Sequence, residues 1–302
     1  MPAVVAPGNY DGVHLGHRAL VGRARARASG TPVVAMFFDP HPSVILAPDK
    51  TAGRLTSATR RRELLLRVGA DEVVVQPFDH AFAELSPEAF VEEVLIRQLD
   101  AKAVVVGPDF RFGHRAAGDV DALRRLGARH SFEVETVGPV AFGGERVSST
   151  RIRAALNDGK VTHAAELLDR YHEVDAEVIH GDQRGRTIGF PTANLRAPDV
   201  VVPSDGVYAV IARVTSRDGP VLEGVANLGV RPTLSAGRSV EVHLFDFDED
   251  IYRETLRVGF VSRLRGEKKF DGLEALKAQI AMDATAARET LAKRNGEWTA
   301  WF

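Results

Sequence analysis

The run Gly8-Asn9-Tyr10-Asp11-Gly12-Val13-His14-Leu15-Gly16-His17 restricts the fold more than any other stretch of the chain. Ala3 to Ala6 precede it and read as a strand, and Arg18 to Ala28 follow it and read as a helix. Strand, glycine loop and helix start together bring free backbone N–H groups and the positive end of a helix dipole to one place, which suits an anion. Gly8 and Gly12 permit a tight turn and close backbone approach. His14 and His17 are three apart, so they share a face of the first helical turn, with Gly16 leaving the space between them open. Two imidazoles there suit hydrogen bonds to a polyphosphate. A metal pair of the zinc-protease kind would need a Glu between them, and none is present.

The rest of the first half alternates strands with helices. Pro32 to Phe38, Glu72 to Val75, Ala103 to Val106 and Glu133 to Val137 read as strands. Helices are expected from Ala58 to Val68, capped by Ser57, and from Ser86-Pro87-Glu88 towards Gln98. This alternation predicts a parallel, doubly wound sheet. Its strand ends carry Asp39-Pro40-His41-Pro42 and Gly107-Pro108-Asp109-Phe110-Arg111-Phe112-Gly113, where open α/β sheets bind ligands. Ser148, Ser149 and Thr150 give three hydroxyls at a helix start, with Arg153 in its first turn, which fits a second phosphate clamp.

The string from Gly8 to His17 resembles the signature of the HxGH nucleotidylyltransferase superfamily. With Phe38 to Pro42, Leu55-Thr56-Ser57, Gly107 to Gly113 and Ser148 to Arg153, residues 1–170 resemble the first half of the prokaryotic bifunctional riboflavin kinase/FMN adenylyltransferase family, also called FAD synthetase. The family usually has Phe at the place of Tyr10 and often Asn at the place of Asp109. The chain begins closer to its first strand than relatives do, which leaves the completeness of the N-terminus open.

Helices from Arg151 to Leu168 are expected to close this first domain, with Arg170-Tyr171-His172 as the linker. Beyond it the pattern changes to short strands: Val174 to Ile179, Val207 to Val214, Leu222 to Asn227, Val240 to Phe247 and Leu256 to Phe260. Short strands with Gly, Pro and Asp turns suggest an antiparallel barrel, and Leu273 to Lys293 a terminal helix lying on it. The fold class is therefore α/β, a Rossmann-like domain over 1–170 followed by a barrel with a terminal helix over 171–302.

Gly181, Gly185 and Gly189 lie four apart and form a backbone-exposing flap, but no Walker-type Lys follows them. Pro191-Thr192-Ala193-Asn194 comes next, and the Thr192 hydroxyl and Asn194 amide oxygen are hard ligands suited to a magnesium ion that also bears phosphates. The combination resembles the riboflavin kinase signature GxxxGxPTAN. Asn227 to Thr233, Glu241 and Leu264 to Phe270 agree with it, while Arg253 stands where relatives usually have Gly.

The resemblance implies two ATP-dependent reactions: riboflavin to FMN in the second domain, and FMN to FAD with release of pyrophosphate in the first. It assigns Gly8, Asn9, Asp11, His14, His17, Asp109, Ser148, Ser149, Thr150 and Arg153 to ATP in adenylyl transfer, with His14, His17 and Arg153 taking part in catalysis. It places Phe38, Pro40, His41 and Phe110 at the flavin of the first domain, and Arg265 and Glu267 at that of the second. In the kinase, Gly181, Gly185, Gly189, Pro191, Thr192 and Asn194 would hold MgATP, and Glu241 would be the base that deprotonates the riboflavin 5′-hydroxyl. Other nucleotidylyltransferases of the superfamily, and a flavin sensor without catalysis, stay open as alternatives.

Composition narrows the remainder. Lys and Arg number 39 against 41 Asp and Glu, so no basic field points to nucleic acid. There is no Cys for a disulfide framework or thiolate chemistry. No apolar run reaches membrane-spanning length and no secretory signal is visible, so a cytoplasmic protein without a membrane partner is expected, with homo-oligomerisation left open.

Overall fold

Val-rich runs without polar alternation are suited to strands buried on both faces, and the first unit, Met1–Ser148, is built on them. In the computed structural model, which describes the chain apart from residues 51, 182–184, 186–188, 218 and 231–237, five strands form one parallel sheet. They are β1 (Ala3–Pro7), β2 (Val33–Asp39), β3 (Glu72–Pro77), β4 (Ala101–Val106) and β5 (Glu133–Thr136), in the order β3-β2-β1-β4-β5. Strand order reverses between β1 and β4, and the loops after both strands open at their carboxyl ends, where doubly wound sheets bind ligands.

The helices of this unit are α1 (Leu15–Ala28), α2 (Pro42–Leu46), α3 (Ala58–Arg67), α4 (His80–Ala83), α5 (Pro87–Ala89) and α6 (Val120–His130). Ser57, Asp79, Ser86 and Asp119 cap α3, α4, α5 and α6 by accepting backbone N–H bonds. The expected helix to Gln98 is present, but beyond α5 its turn widens: Phe90–Gln98 is a π-helix, with Leu99 N–H bonded to the Val94 carbonyl. α6 is additional to the expected elements, as is a small hairpin of β6 (Ala141–Phe142) and β7 (Glu145–Arg146).

The second unit, Ser149–Phe302, opens with α7 (Ser149–Asn157) and α8 (Val161–Leu168). Six strands then close a barrel: β8 (His172–Ile179), β9 (Ala193–Leu195), β10 (Gly206–Val214), β11 (Leu222–Val230), β12 (Arg238–Leu244) and β13 (Thr255–Arg265). Around it they run β10-β11-β12-β9-β8-β13, each pair antiparallel. β9 is additional to the expected strands. β12 stops at Leu244 rather than Phe247, because Asp246 turns the chain with φ +53°. β13 continues past Phe260 to Arg265, which carries that side chain into the site described below.

α9 (Leu273–Leu291) and α10 (Gly296–Thr299) complete the unit. Val207, Ala209 and Ile211 of β10 pack with Ala287 and Leu291 of α9, with Ala165 of α8, and with Phe302. The alternate residue Tyr208 faces the other way and meets Phe260 edge-on at 5.6 Å. Burial of each large apolar side chain in such a cluster contributes about 1.5–3 kcal/mol.

Candidate active sites

In the first unit, the loop between β1 and α1 is shaped by three residues with positive φ: Tyr10 (+52°), Gly12 (+88°) and Val13 (+41°). Val13 is β-branched and buried, so its left-handed backbone is strained, a cost that concentrates at functional sites. The Tyr10 hydroxyl donates to the Ala6 carbonyl at 2.8 Å, and burial pushes its pKa far up. A Cβ at Gly8 would come within 3.1 Å of the Tyr10 ring, so Gly8 makes room for that ring.

His14 occupies the N-cap of α1 and His17 its first turn, one turn earlier than the expected start at Arg18. Their rings stack with centroids 3.7 Å apart. A Cβ at Gly16 would press on the His14 ring at 3.2 Å, so Gly16 makes room for that ring, but the stacked rings leave no open space between them, contrary to the expectation from the sequence. Two imidazoles and the first N–H groups of a helix thus share one end of the sheet, a combination suited to phosphate.

Asp11 has a different setting from its neighbours. Its carboxylate is buried and accepts from the backbone N–H of Leu55 at 2.9 Å and of Thr56 at 3.2 Å. Arg61 of α3 donates to the same carboxylate at 3.4 Å, to the Asn9 carbonyl at 3.0 Å and to the Thr56 carbonyl at 3.2 Å. Its guanidinium lies over the Phe37 ring at 4.8 Å. Gly12 N–H completes the knot by donating to Thr56 Oγ1 at 3.2 Å. Asp11 and Arg61 therefore brace the loop. The only sequence signal for Arg61 was an Arg on the buried face of α3.

The other first-unit residues are dispersed over the strand ends. Asn9 and Asp109 are exposed, and Asp109 pairs with Arg146. The His41 ring accepts from Ser43 N–H at 3.2 Å and caps α2, directly after Pro40. Phe38 contacts Phe78 and Phe82, and Phe110 stacks on Phe112, with Phe82, Phe90 and Phe112 linking the two groups. Arg111 is exposed and pairs with Asp119 at 3.6 Å. Ser148 ends this unit. Ser149, Thr150 and Arg153 belong to α7 of the second unit, with Thr150 exposed and Ser149 and Arg153 half-buried.

In the second unit five of the expected kinase residues converge on one cavity. Glu241 of β12 lines a cavity of about 660 Å³ together with Gly185, Thr192, Arg265 and Glu267. Its ladder partners are Asn194 on β9 and Asn227 on β11. Alternation along β12 turns Glu241 and His243 to this cavity and Val242 and Leu244 to a second one of about 410 Å³. Thr192 lines both. Pro191 accepts from His243 Nδ1 at 2.7 Å, which fixes the chain just before Thr192. Tyr252, on the wall of the second cavity, stacks on His180 at 3.8 Å, and the next residue, Arg253, turns with φ +66°, a conformation glycine adopts more readily.

Glycine is required here for approach. A Cβ at Gly181 would overlap the Asn194 amide, and one at Gly185 would overlap the Phe190 carbonyl and crowd Thr192 Oγ1 at 3.3 Å. A Cβ at Gly229 would overlap the Glu267 carboxylate. Gly189 turns with φ +87°. The flap residues 182–184 and 186–188, and the 231–233 part of the Asn227 motif, lie outside the described residues. Thr192 and Asn194 offer uncharged oxygens, and among the described residues no group of three His, Cys, Asp or Glu could hold a metal. That donor set fits magnesium carried in with phosphates and not a closed protein cage. Among the described residues no helix is long and apolar enough to cross a membrane.

Comparison with known proteins gives the family. The FAD synthetase family model matches residues 1–151 and the riboflavin kinase model residues 168–291. The bifunctional riboflavin kinase/FMN adenylyltransferase of Escherichia coli K12 is 40% identical over 289 residues, covering 95% of this chain and 92% of that one. The Listeria monocytogenes protein of the same name is 38% identical over 296 residues, covering 96% and 93%. A crystal structure described as a macrolide-efflux protein from Streptococcus pneumoniae aligns over 95% of this chain and 94% of that chain, with TM-score 0.84 and 33% identity. With both family models matched in order along one chain, and relatives alike over nearly their whole length, the chain belongs to the bifunctional riboflavin kinase/FMN adenylyltransferase family.

Proposed function

We propose that the second unit phosphorylates riboflavin to FMN and that the first unit transfers AMP from ATP to FMN, releasing pyrophosphate and forming FAD. The observation that carries the kinase half is the placement of Glu241 and Thr192 on one cavity wall, with Thr192 also facing the neighbouring cavity. Riboflavin occupies the larger cavity against Arg265 and Glu267. MgATP lies along Gly181, Gly185, Gly189, Pro191, Thr192 and Asn194, its γ-phosphate directed to Thr192.

In this reading Glu241 takes the proton of the riboflavin 5′-hydroxyl as that oxygen attacks the γ-phosphorus and ADP leaves. Magnesium, when bound with ATP at Thr192 and Asn194, supplies neutralisation of phosphate charge. The flap glycines admit the phosphates close to the backbone.

Adenylyl transfer needs no covalent protein intermediate; it is an in-line displacement governed by positioning and charge. Gly8, Asn9, His14 and His17 hold the ATP phosphates, Asp11 acts through the loop it braces, and Asp109 contacts nucleotide. Ser148, Ser149, Thr150 and Arg153 are assigned to the same ATP by their place in the motif. Phe38, Pro40, His41 and Phe110 are assigned to the flavin that accepts AMP. The functional border is set at residues 170/171, and the cytoplasm is the proposed location.

The test is incubation with riboflavin, ATP and magnesium followed by chromatography. FMN appearing first and FAD second is the expected result. Flavin bound but unchanged would make the chain a sensor instead.

A further inference from the structure

The kinase cavity has to accept riboflavin, which is uncharged, and then release FMN, which carries about 1.5 to 2 negative charges on its phosphate. The charges on its wall bear on that difference. Among the described residues lining it, Arg265, Lys268 and Lys269 are cationic, and Glu241, Glu267 and Asp283 are acidic. His243 also lines it, with its Nδ1 bonded to the Pro191 carbonyl.

Asp283 stands out among the acids. It lies on α9, is 6% exposed, and no motif in the sequence singles it out. Both its oxygens accept from Arg265, at 3.0 and 3.1 Å from Nε and 2.7 Å from Nη2. Gln279 donates to it as well, at 3.0 Å. Arg265 uses a further N–H on the Gly266 carbonyl at 2.9 Å. The pair is bidentate, the geometry in which a guanidinium charge is most fully answered. A guanidinium stays charged at any working pH, so a carboxylate is the means available to cancel it.

We propose that Asp283 is a specificity-determining residue of the kinase: by neutralising Arg265 it keeps the cavity from holding the phosphorylated product more tightly than the substrate. This rests on the assignment of riboflavin phosphorylation to the second unit. Without Asp283 the cavity wall gains one net positive charge, and a partly screened Coulomb attraction of such a charge for a phosphate in the same cavity amounts to about tenfold in affinity. Riboflavin, having no charge, is left almost unaffected.

The test is made on the full-length protein with riboflavin and ATP as substrates, following ADP. ADP is released only by phosphoryl transfer and adenylyl transfer in the first unit releases pyrophosphate, so initial rates of ADP release, read before the first unit has converted an appreciable share of the added FMN, report its inhibition of the kinase alone. The quantity read is the inhibition constant of FMN relative to the KM of riboflavin. In Asp283→Asn this ratio should fall about tenfold, and the fall should shrink at high salt. Asp283→Glu should keep the ratio of the unaltered protein, and Asp283→Asn combined with Arg265→Gln should restore it. A merely structural role would change stability or both constants together and would not be rescued by removing Arg265. An unchanged ratio in Asp283→Asn overturns the proposal. Should that variant release no ADP, Arg265→Gln alone decides: FMN must weaken more than riboflavin, and equal weakening overturns the proposal. No riboflavin-dependent ADP from the unaltered protein would instead sink the kinase assignment itself.

Discussion

Glu241 lies directly opposite Asn194 across the β12–β9 ladder, with Asn227 opposite it on the other side. Directly opposed residues have Cβ atoms about 4.5–5.5 Å apart. The register therefore sets the proposed base beside the proposed phosphate-holding amide without any loop intervening. Glu241→Gln keeps size and one acceptor oxygen but takes up no proton at neutral pH. FMN formation should fall roughly 10²- to 10⁴-fold with riboflavin binding retained. FAD formation from supplied FMN is the internal control, because it belongs to the other unit. Wild-type FMN production would remove Glu241 as the base.

His14→Ala with His17→Ala should abolish FAD formation and leave riboflavin-dependent ADP release intact. The stacked pair sits at the start of α1 in the first unit. Each lost charge-assisted contact costs about 1.5–3 kcal/mol. Equal loss of both activities in a folded protein would count against separate sites.

Arg61→Met should destabilise the first unit by about 3–5 kcal/mol, the usual result of stripping a buried carboxylate of its partner. The Asp11 carboxylate keeps its two backbone N–H groups, so the loss is expected at the lower end. A lower melting temperature with a raised KM for ATP in FAD formation, and unaltered FMN formation, is the outcome that fits a brace on the glycine loop. A variant with wild-type stability would show that the knot is idle.

Gly229→Ala tests the flavin side of the kinase cavity. The new methyl group overlaps the Glu267 carboxylate and displaces it. The KM for riboflavin should rise several-fold while kcat changes little, since Glu241 and Thr192 stay in place. A fall in kcat at constant KM would place Glu267 in the chemistry.

Fragments test the border. Both 149–302 and 171–302 should make FMN and no FAD. The shorter one lacks Ala165, a member of the cluster that joins barrel and α9, and should melt at lower temperature. FAD from either folded fragment would refute the division.

Local chemistry was readable and distant pairing was not. His14, Gly16 and His17 fall within one helical turn, so spacing alone set their relation, and Ser57 announced α3 in the same way. The brace between Asp11 and Arg61 joins residues fifty apart, and no local pattern links them. β9 is short and lies inside a motif read for its ligands, so its strand character was hidden. α6 carries a signal, Asp119 as cap before the spacing Val120, Leu123 and Leu126, but at eleven residues with three charged Arg and Asp side chains in its first two turns its apolar face is narrow. The π-winding after α5 leaves no mark in apolar spacing. Asp283 is one acid among many on a terminal helix until β13 brings Arg265 to it.

Among the described residues, the two cavities of the second unit lie on opposite faces of β12 and share Thr192 in their walls. The larger cavity also takes Gly185 into its wall, so the proposed nucleotide loop borders the proposed flavin site. Occupancy of one proposed site then bears on the other, and initial-rate patterns should show it as a KM for riboflavin that depends on the ATP concentration. One glycine and one threonine thus form the common border of the two proposed substrates.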